Sequence, residues 1–234
     1  MGHHFEGTTE FEVPADVDTV WGAIATGPGV QSWFLGHTEI GNGAVRMAMG
    51  EYKPESEITA WEPGKHFAHR QPAGPDGRFM AYEFLVEGRE RASTVVRMVT
   101  SGFLPGDGWA DEYEAMLQGG ALYTASLREY LTHFAPRTAE PLNLWGPGLA
   151  DWSATAARLR ELLGIADGRA SADLDGVGRI EGVVFHENDQ TIGIRTDDAL
   201  YRFLHAMNGA TMLAHLRYAP AEQDWAGWLT RTFA

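Results

Sequence analysis

The sequence predicts an α+β protein, built from an antiparallel sheet wrapped around one long C-terminal helix, with a smaller α+β region after it. Three observations lead there. Strand alternation punctuated by turn residues fills about Thr38 to Ser101, the longest helical period runs from about Trp109 to Phe134, and a proline-rich stretch then sets off further elements.

Phe5 to Val13 alternates as a strand should and stops at Pro14. Asp16 is placed to cap a helix whose Val17, Val20, Trp21 and Ile24 share one face. Thr26-Gly27-Pro28-Gly29 breaks that helix, because the residue before a proline avoids helical geometry and glycine frees the backbone. Val30 to Phe34 is long enough for one or two more helical turns, with Trp33 and Phe34 at the end of the sheet that follows.

Gly41-Asn42-Gly43, Glu62-Pro63-Gly64 and Gly74-Pro75-Asp76-Gly77 then mark turns of an antiparallel meander. Alternate side chains face the same way in a strand, so Val45, Met47 and Met49 share a side, as do Met80, Tyr82, Phe84 and Val86. One face of the sheet is therefore apolar, rich in methionine and aromatic rings. After Gly102 to Gly108 the long helix carries a stripe through Tyr113, Met116, Leu117, Gly120, Tyr123, Thr124, Leu127, Tyr130, Leu131 and Phe134. Asp111, Glu112 and Glu114 suit its positively polarised start. Gly119-Gly120 in mid-helix costs roughly 1 kcal/mol per glycine relative to alanine, and reads as a close packing contact or a bend, or as room left for a ligand.

Residues 136–150, with Pro136, Pro141 and Pro147, read as a linker between a first domain, 1–135, and a second, 151–234. In the second, Trp152, Ala156, Leu159, Leu162 and Leu163 suit a helix. Arg179 to His186 and Thr191 to Arg195 suit a hairpin turning at Glu187-Asn188-Asp189. Thr196 or Asp197 is placed to cap a helix bearing Leu200, Phe203, Leu204 and Met207; Thr211 to Tyr218 reads as a strand, and Trp225, Trp228, Leu229 and Phe233 as a last helical face. The Gly-Pro-Gly-x-x-x-Trp of residues 27–33 recurs at 146–152, an echo too short to be a repeat.

Composition excludes several functions. The 234 residues hold 32 Asp+Glu against 18 Lys+Arg, a formal net charge of -14, which disfavours nucleic acid as a partner. With Lys53 and Lys65 as the lysines, the positive charge is nearly all arginine. Zero cysteines leave no disulfide, thiolate metal site or cysteine nucleophile. No apolar run reaches the roughly 18 residues of a membrane span, and Met-Gly-His-His-Phe-Glu lacks the regions of a signal peptide. The expectation is a cytoplasmic protein with no membrane span.

Strand, two short helices, meander and long helix is the order of the helix-grip (START-like) fold. The segments Val13 to Trp21 with Trp33-Phe34, Ile58 to Phe67, and Leu127 to Leu131 resemble the SRPBCC superfamily, which includes START domains, birch-pollen-allergen-like proteins and polyketide cyclases. Within it the branch of the heat-shock chaperone ATPase activator is the nearest match. The resemblance covers about Phe5 to Phe134. It implies a curved sheet gripping the long helix, with a cavity between them for a lipid, polyketide or similar hydrophobic molecule. Its motifs are packing patterns and transfer no catalytic residue.

The expected cavity residues are Trp33, Phe34, Phe67, Met80, Tyr82, Phe84, Met98, Tyr113, Met116, Leu117, Gly120 and Tyr123, with core packing as the plainer role of each. His66 and His69 are an odd number of positions apart, so they face opposite sides of a strand and cannot chelate one metal. His-Glu-x-x-His, Gly-x-Ser-x-Gly, phosphate loops and dinucleotide fingerprints are all missing, so no metal or cofactor is expected. Glu55 with Glu57 and Glu83 with Glu87 share strand faces and read as acid-base pairs or, more plainly, as solvated sheet edges or surface partners for Arg70, Arg78, Arg89 and Arg97.

The leading expectation is non-catalytic binding of a hydrophobic small molecule, with the C-terminal region covering the cavity mouth or forming a homodimer interface. One rival is a cyclase- or dehydratase-like enzyme using cavity tyrosines, Arg97 or His69. Another is a chaperone-ATPase-activator-like interaction module anchored by Trp225, Trp228 and Phe233.

Overall fold

Pro14 stops the first strand and Asp16 starts the first helix. β1 (His3–Val13) ends just before the proline, and the Asp16 carboxylate accepts the Thr19 backbone N–H at 2.8 Å to cap α1 (Val17–Ala25). The Thr26 hydroxyl does the same for Gly29 at 3.1 Å, opening α2 (Gly27–Gln31). Gly27-Pro28-Gly29 is thus the first turn of the second helix and not a break ahead of it, since a proline in a first turn loses no helical hydrogen bond. A Cβ on Gly29 would overlap the Gly22 carbonyl, so glycine is what lets the two helices touch. The Trp33 indole N–H, donating to the Ala23 carbonyl at 3.0 Å, locks the pair.

The structure, a computed structural model, describes residues 2–148, 151–206 and 209–233 and is α+β, with two large antiparallel sheets. Its residues divide into two compact units. The first runs to Glu114 and takes in Tyr130–Thr138; the second takes Ala115–Glu129 and the chain from Ala139 onward.

In the first unit β2 (His37–Gly41), β3 (Ala44–Ala48), β4 (Glu55–Glu62), β5 (His66–Arg70), β6 (Phe79–Gly88) and β7 (Thr94–Leu104) join β1 in a seven-stranded sheet, ordered β1-β7-β6-β5-β4-β3-β2. Every neighbouring pair is antiparallel. β1 closes the meander by pairing with β7 over its whole length, His3 opposite Leu104 to Val13 opposite Thr94. The α3 helix (Trp109–Glu129) follows and runs into one π turn, Tyr130–Phe134. Arg78 pairs with Glu112 in its first turn.

The second unit orders β8 (Glu140–Gly148), β9 (Arg169–Leu174), β10 (Gly178–Glu187), β11 (Thr191–Arg195), β12 (Ala199–His205) and β13 (Ala210–Arg217) as β8-β13-β12-β11-β10-β9. Trp152 and Leu159 of α4 (Trp152–Leu162), with Trp225, Trp228 and Leu229 of α5 (Trp225–Phe233), pack with Ile180, Ile192, Phe203 and Leu213 as its core.

Two expectations fail here for physical reasons. Residues 140–148 are a strand, not linker, because β8 lies at a sheet edge with one neighbour, where Pro141 and Pro147, which have no N–H to donate, are tolerated. The helix expected after Thr196 is the strand β12. Ala199 to Leu204 are all buried, and a strand buried on both faces shows a continuous apolar run in which helical spacing is accidental. Met207, assigned to that helix, lies outside the described residues. The Gly-Pro-Gly echo has no structural counterpart, since one copy opens α2 and the other ends β8.

Candidate functional site

Period-two alternation in β5, β6, β7 and β1 places a defined set of side chains on one inner face of the first sheet. Registers across the four strands align them in rows. Phe67 faces Phe84, then Met98, then Thr9; His69 faces Tyr82, then Thr100, then Gly7; Met80 faces Gly102, then Phe5. Trp33 and Phe34, leaving α2, lie against Phe84 and Tyr82 with ring centroids 6.3 Å apart in each case. Tyr113 at the start of α3 meets Phe5 at 5.1 Å.

The residues on this face differ in access. Trp33, Phe67 and Phe84 are buried walls, whereas Phe34, Met80, Tyr82, Met98 and Tyr113 are only partly buried. Along the second row a side chain is missing altogether. A Cβ on Gly7 would meet no described atom within 4 Å, so the face has open space beside Thr100.

His69 is the polar exception among the rings. It stacks on Tyr82 at 5.3 Å and lies 5.5 Å from Phe67. Burial alone pushes its pKa down to about 4, which keeps the imidazole neutral at pH 7. Its Nδ1 is shielded from solvent and has no hydrogen-bond partner among the described residues. His66 faces the other way and meets Glu83 at 2.7 Å, as the odd spacing requires.

That outer face carries surface ion pairs, but of the expected partners only Arg89 and Glu87 meet among the described residues, while Glu55, Glu83, Arg78 and Arg97 pair elsewhere. Arg97 pairs with Glu10 at 2.7 Å, Arg89 with Glu87 at 2.7 Å and Arg46 with Glu55 at 3.0 Å. Arg97, proposed as a cavity acid-base group, is thereby removed from the inner face: Phe84, Val86, Val96 and Met98 point inward, and Arg97 alternates outward.

The long helix departs most from the expected site. Met116, Leu117, Gly120 and Tyr123 fall in the second compact unit, and Leu117 is 51% exposed. The single-stripe reading fails because Leu122 and Ser126 on one side and Thr124 and Leu127 on the other are all buried. Positions 119 and 120 are not close contacts, since no described atom lies within 4 Å of a Cβ at either. Tyr123 belongs to a buried polar group: Arg202 lies 5.6 Å over its ring and donates to the Ser126 hydroxyl at 3.4 Å and to the Ala214 carbonyl. Burial raises the Tyr123 hydroxyl to about 12 and lowers Arg202 to about 10. His215 accepts the Arg202 backbone N–H on Nδ1 at 3.0 Å, and burial, then the Arg202 charge, hold it well below the ordinary histidine range.

Two shallow clefts lie off the inner face, about 320 Å³ beside Arg179 and Arg217 and about 370 Å³ beside Thr26 and Pro136. Arg179, Glu181, Asp197, Asp198 and Arg217 make the first strongly charged, and the second is lined mainly by small residues and prolines, with Asp18 as its one charged residue. Convergence of aromatic walls, open space and a polar spot favours the inner face. Among the described residues no three His, Asp or Glu side chains gather as a metal would require, and no helix is long and apolar enough to cross a membrane.

No protein-family description matches the chain, and no curated protein matches it in sequence. Similar solved structures exist. Protein MLL2253 of Mesorhizobium loti is 17% identical, with 54% of this chain aligned to 96% of that one at a TM-score of 0.45. The Aha1 dimer of Colwellia psychrerythraea is 18% identical, over 54% and 96%, at 0.44. DynU16, a protein of the dynemicin biosynthetic locus, is 18% identical over 93% of this chain and 89% of its own, at 0.45. Each is a distant likeness.

Proposed function

We propose that the chain binds a hydrophobic small molecule on the inner face of its first sheet and does not transform it. The observation that carries this reading is the open space at Gly7, set in a face of partly buried methionine and aromatic side chains. A flat apolar ligand lying there gains the burial of its own surface and of Phe34, Met80, Tyr82 and Met98, at roughly 25 cal/mol per Å². Two short helices ahead of the meander and a long helix after it support a helix-grip frame for the site. Titration with N-phenyl-1-naphthylamine, a neutral dye that fluoresces in apolar surroundings, tests it. Saturable binding at one site is expected; a linear, non-saturating signal would contradict it.

An enzymatic reading has one observation in its favour, the stacked His69 and Tyr82 in a row with Thr100. The magnitude weighs against it. With a pKa near 4, His69 is protonated in about one molecule in a thousand at pH 7, and it is a weak base, whereas efficient proton transfer uses a pKa near the working pH. Conversion of a bound compound that Tyr82→Phe abolishes would reinstate that reading. The chaperone-type anchor patch loses its basis, because Trp225 and Trp228 are 1% and 4% exposed and form core.

A further inference from the structure

We propose that His69 is the specificity-determining contact of this site, and that its Nδ1 selects ligands carrying a hydroxyl on a flat aromatic skeleton over those that carry only acceptors. The inference rests on the binding function proposed above and names the ligand class.

His69, Tyr82, Thr100 and Gly7 occupy four adjacent strands in one register, so the row spans three interstrand steps of about 4.8 Å, or about 14 Å in all. That is the length of a few fused rings. Aromatic side chains flank its His69 end, with Tyr82 stacked on the imidazole and Phe67 beside it, while its Gly7 end is open. A planar ligand lying along the row meets rings at one end and empty space at the other.

The polar requirement comes from the imidazole. A neutral histidine carries one N–H and one lone pair, and in the intrinsically favoured tautomer the lone pair is on Nδ1. Here Nδ1 is shut off from solvent and unpaired among the described residues. A buried acceptor left unmade costs stability, so a ligand O–H that reaches it recovers that loss in addition to forming its own bond. An ether oxygen or a carboxylate brings only lone pairs to a lone pair and gains nothing.

The test compares 2-naphthol, 2-methoxynaphthalene and 2-naphthoate as competitors of N-phenyl-1-naphthylamine on the full chain. Wild type is expected to bind the naphthol about tenfold tighter than the methyl ether, equivalent to about 1.4 kcal/mol. His69→Leu should erase that ratio while still binding the ether. His69→Asn, whose side-chain oxygen sits close to where Nδ1 was, should keep most of it. Equal affinities in wild type, tighter binding of the ether or the naphthoate, or a preference that survives in His69→Leu would overturn the inference and leave the binding function standing. If neither the dye nor any naphthalene binds wild type, the binding function itself falls. Should His69→Leu not fold, the wild-type ratio and His69→Asn decide the matter, a wild-type ratio below about twofold being contrary.

Discussion

His69 places a neutral imidazole where a protonated one is penalised, which fixes the sign of a pH effect. Its folded pKa of about 4 lies below the ordinary 6.5, so the unfolded chain binds more protons between those values. Stability from this group is complete above about pH 6.5 and is lost as pH falls toward about 4, by about 3 kcal/mol in all. Urea denaturation at stepped pH should show this slope, flattened in His69→Leu; an unchanged slope in the variant would count against a buried neutral His69. His215 acts in the same direction in the second unit. Of this residue-level detail, the sequence made legible that His66 and His69 face opposite ways, because strand alternation alone decides it. Gly7 and Thr100 were not legible, because their role depends on a register between strands about 90 residues apart in sequence.

At the scale of elements, the α1–α2 pair depends on one close approach and one buried hydrogen bond. Trp33→Phe keeps the ring and removes the N–H that the Ala23 carbonyl accepts, at an expected cost of about 1–3 kcal/mol. Gly29→Ala forces the helices apart at Gly22 and should cost at least as much. Equilibrium denaturation measures both, and a neutral Gly29→Ala would mean that the helices are not in contact. α1, the meander and α4, α5, β10, β11 and β13 follow from caps, turns and periodicity, whereas α2 is expected at Val30 to Phe34 and lies at Gly27–Gln31, because a first-turn proline reads as a break. β12 does not follow either, since a strand with both faces covered loses the alternation that would identify it. α3 misleads in the opposite way. Its stripe presumes one buried face, whereas its second half is buried on two.

For the whole molecule, a net charge of -14 predicts self-repulsion that salt relieves. The melting temperature should rise between low salt and about 0.3 M NaCl, where the screening length falls below about 10 Å. A flat or falling trend in calorimetry would show that the local ion pairs outweigh the net charge. Composition and pattern exposed the α+β class and the apolar face of the first sheet. They did not expose how the chain is shared, because the long helix reads as part of the first domain while Ala115–Glu129 folds into the second unit. The central claim, a ligand site on the inner face at Gly7, is tested most directly by titrating N-phenyl-1-naphthylamine into wild type and Gly7→Leu side by side. Gly7 is in a regular strand with open space around its Cβ position, so a side chain can start there without a clash at Cβ. The expected result is unchanged thermal stability with dye affinity weakened at least about tenfold. Equal affinity in a folded Gly7→Leu protein would contradict the site.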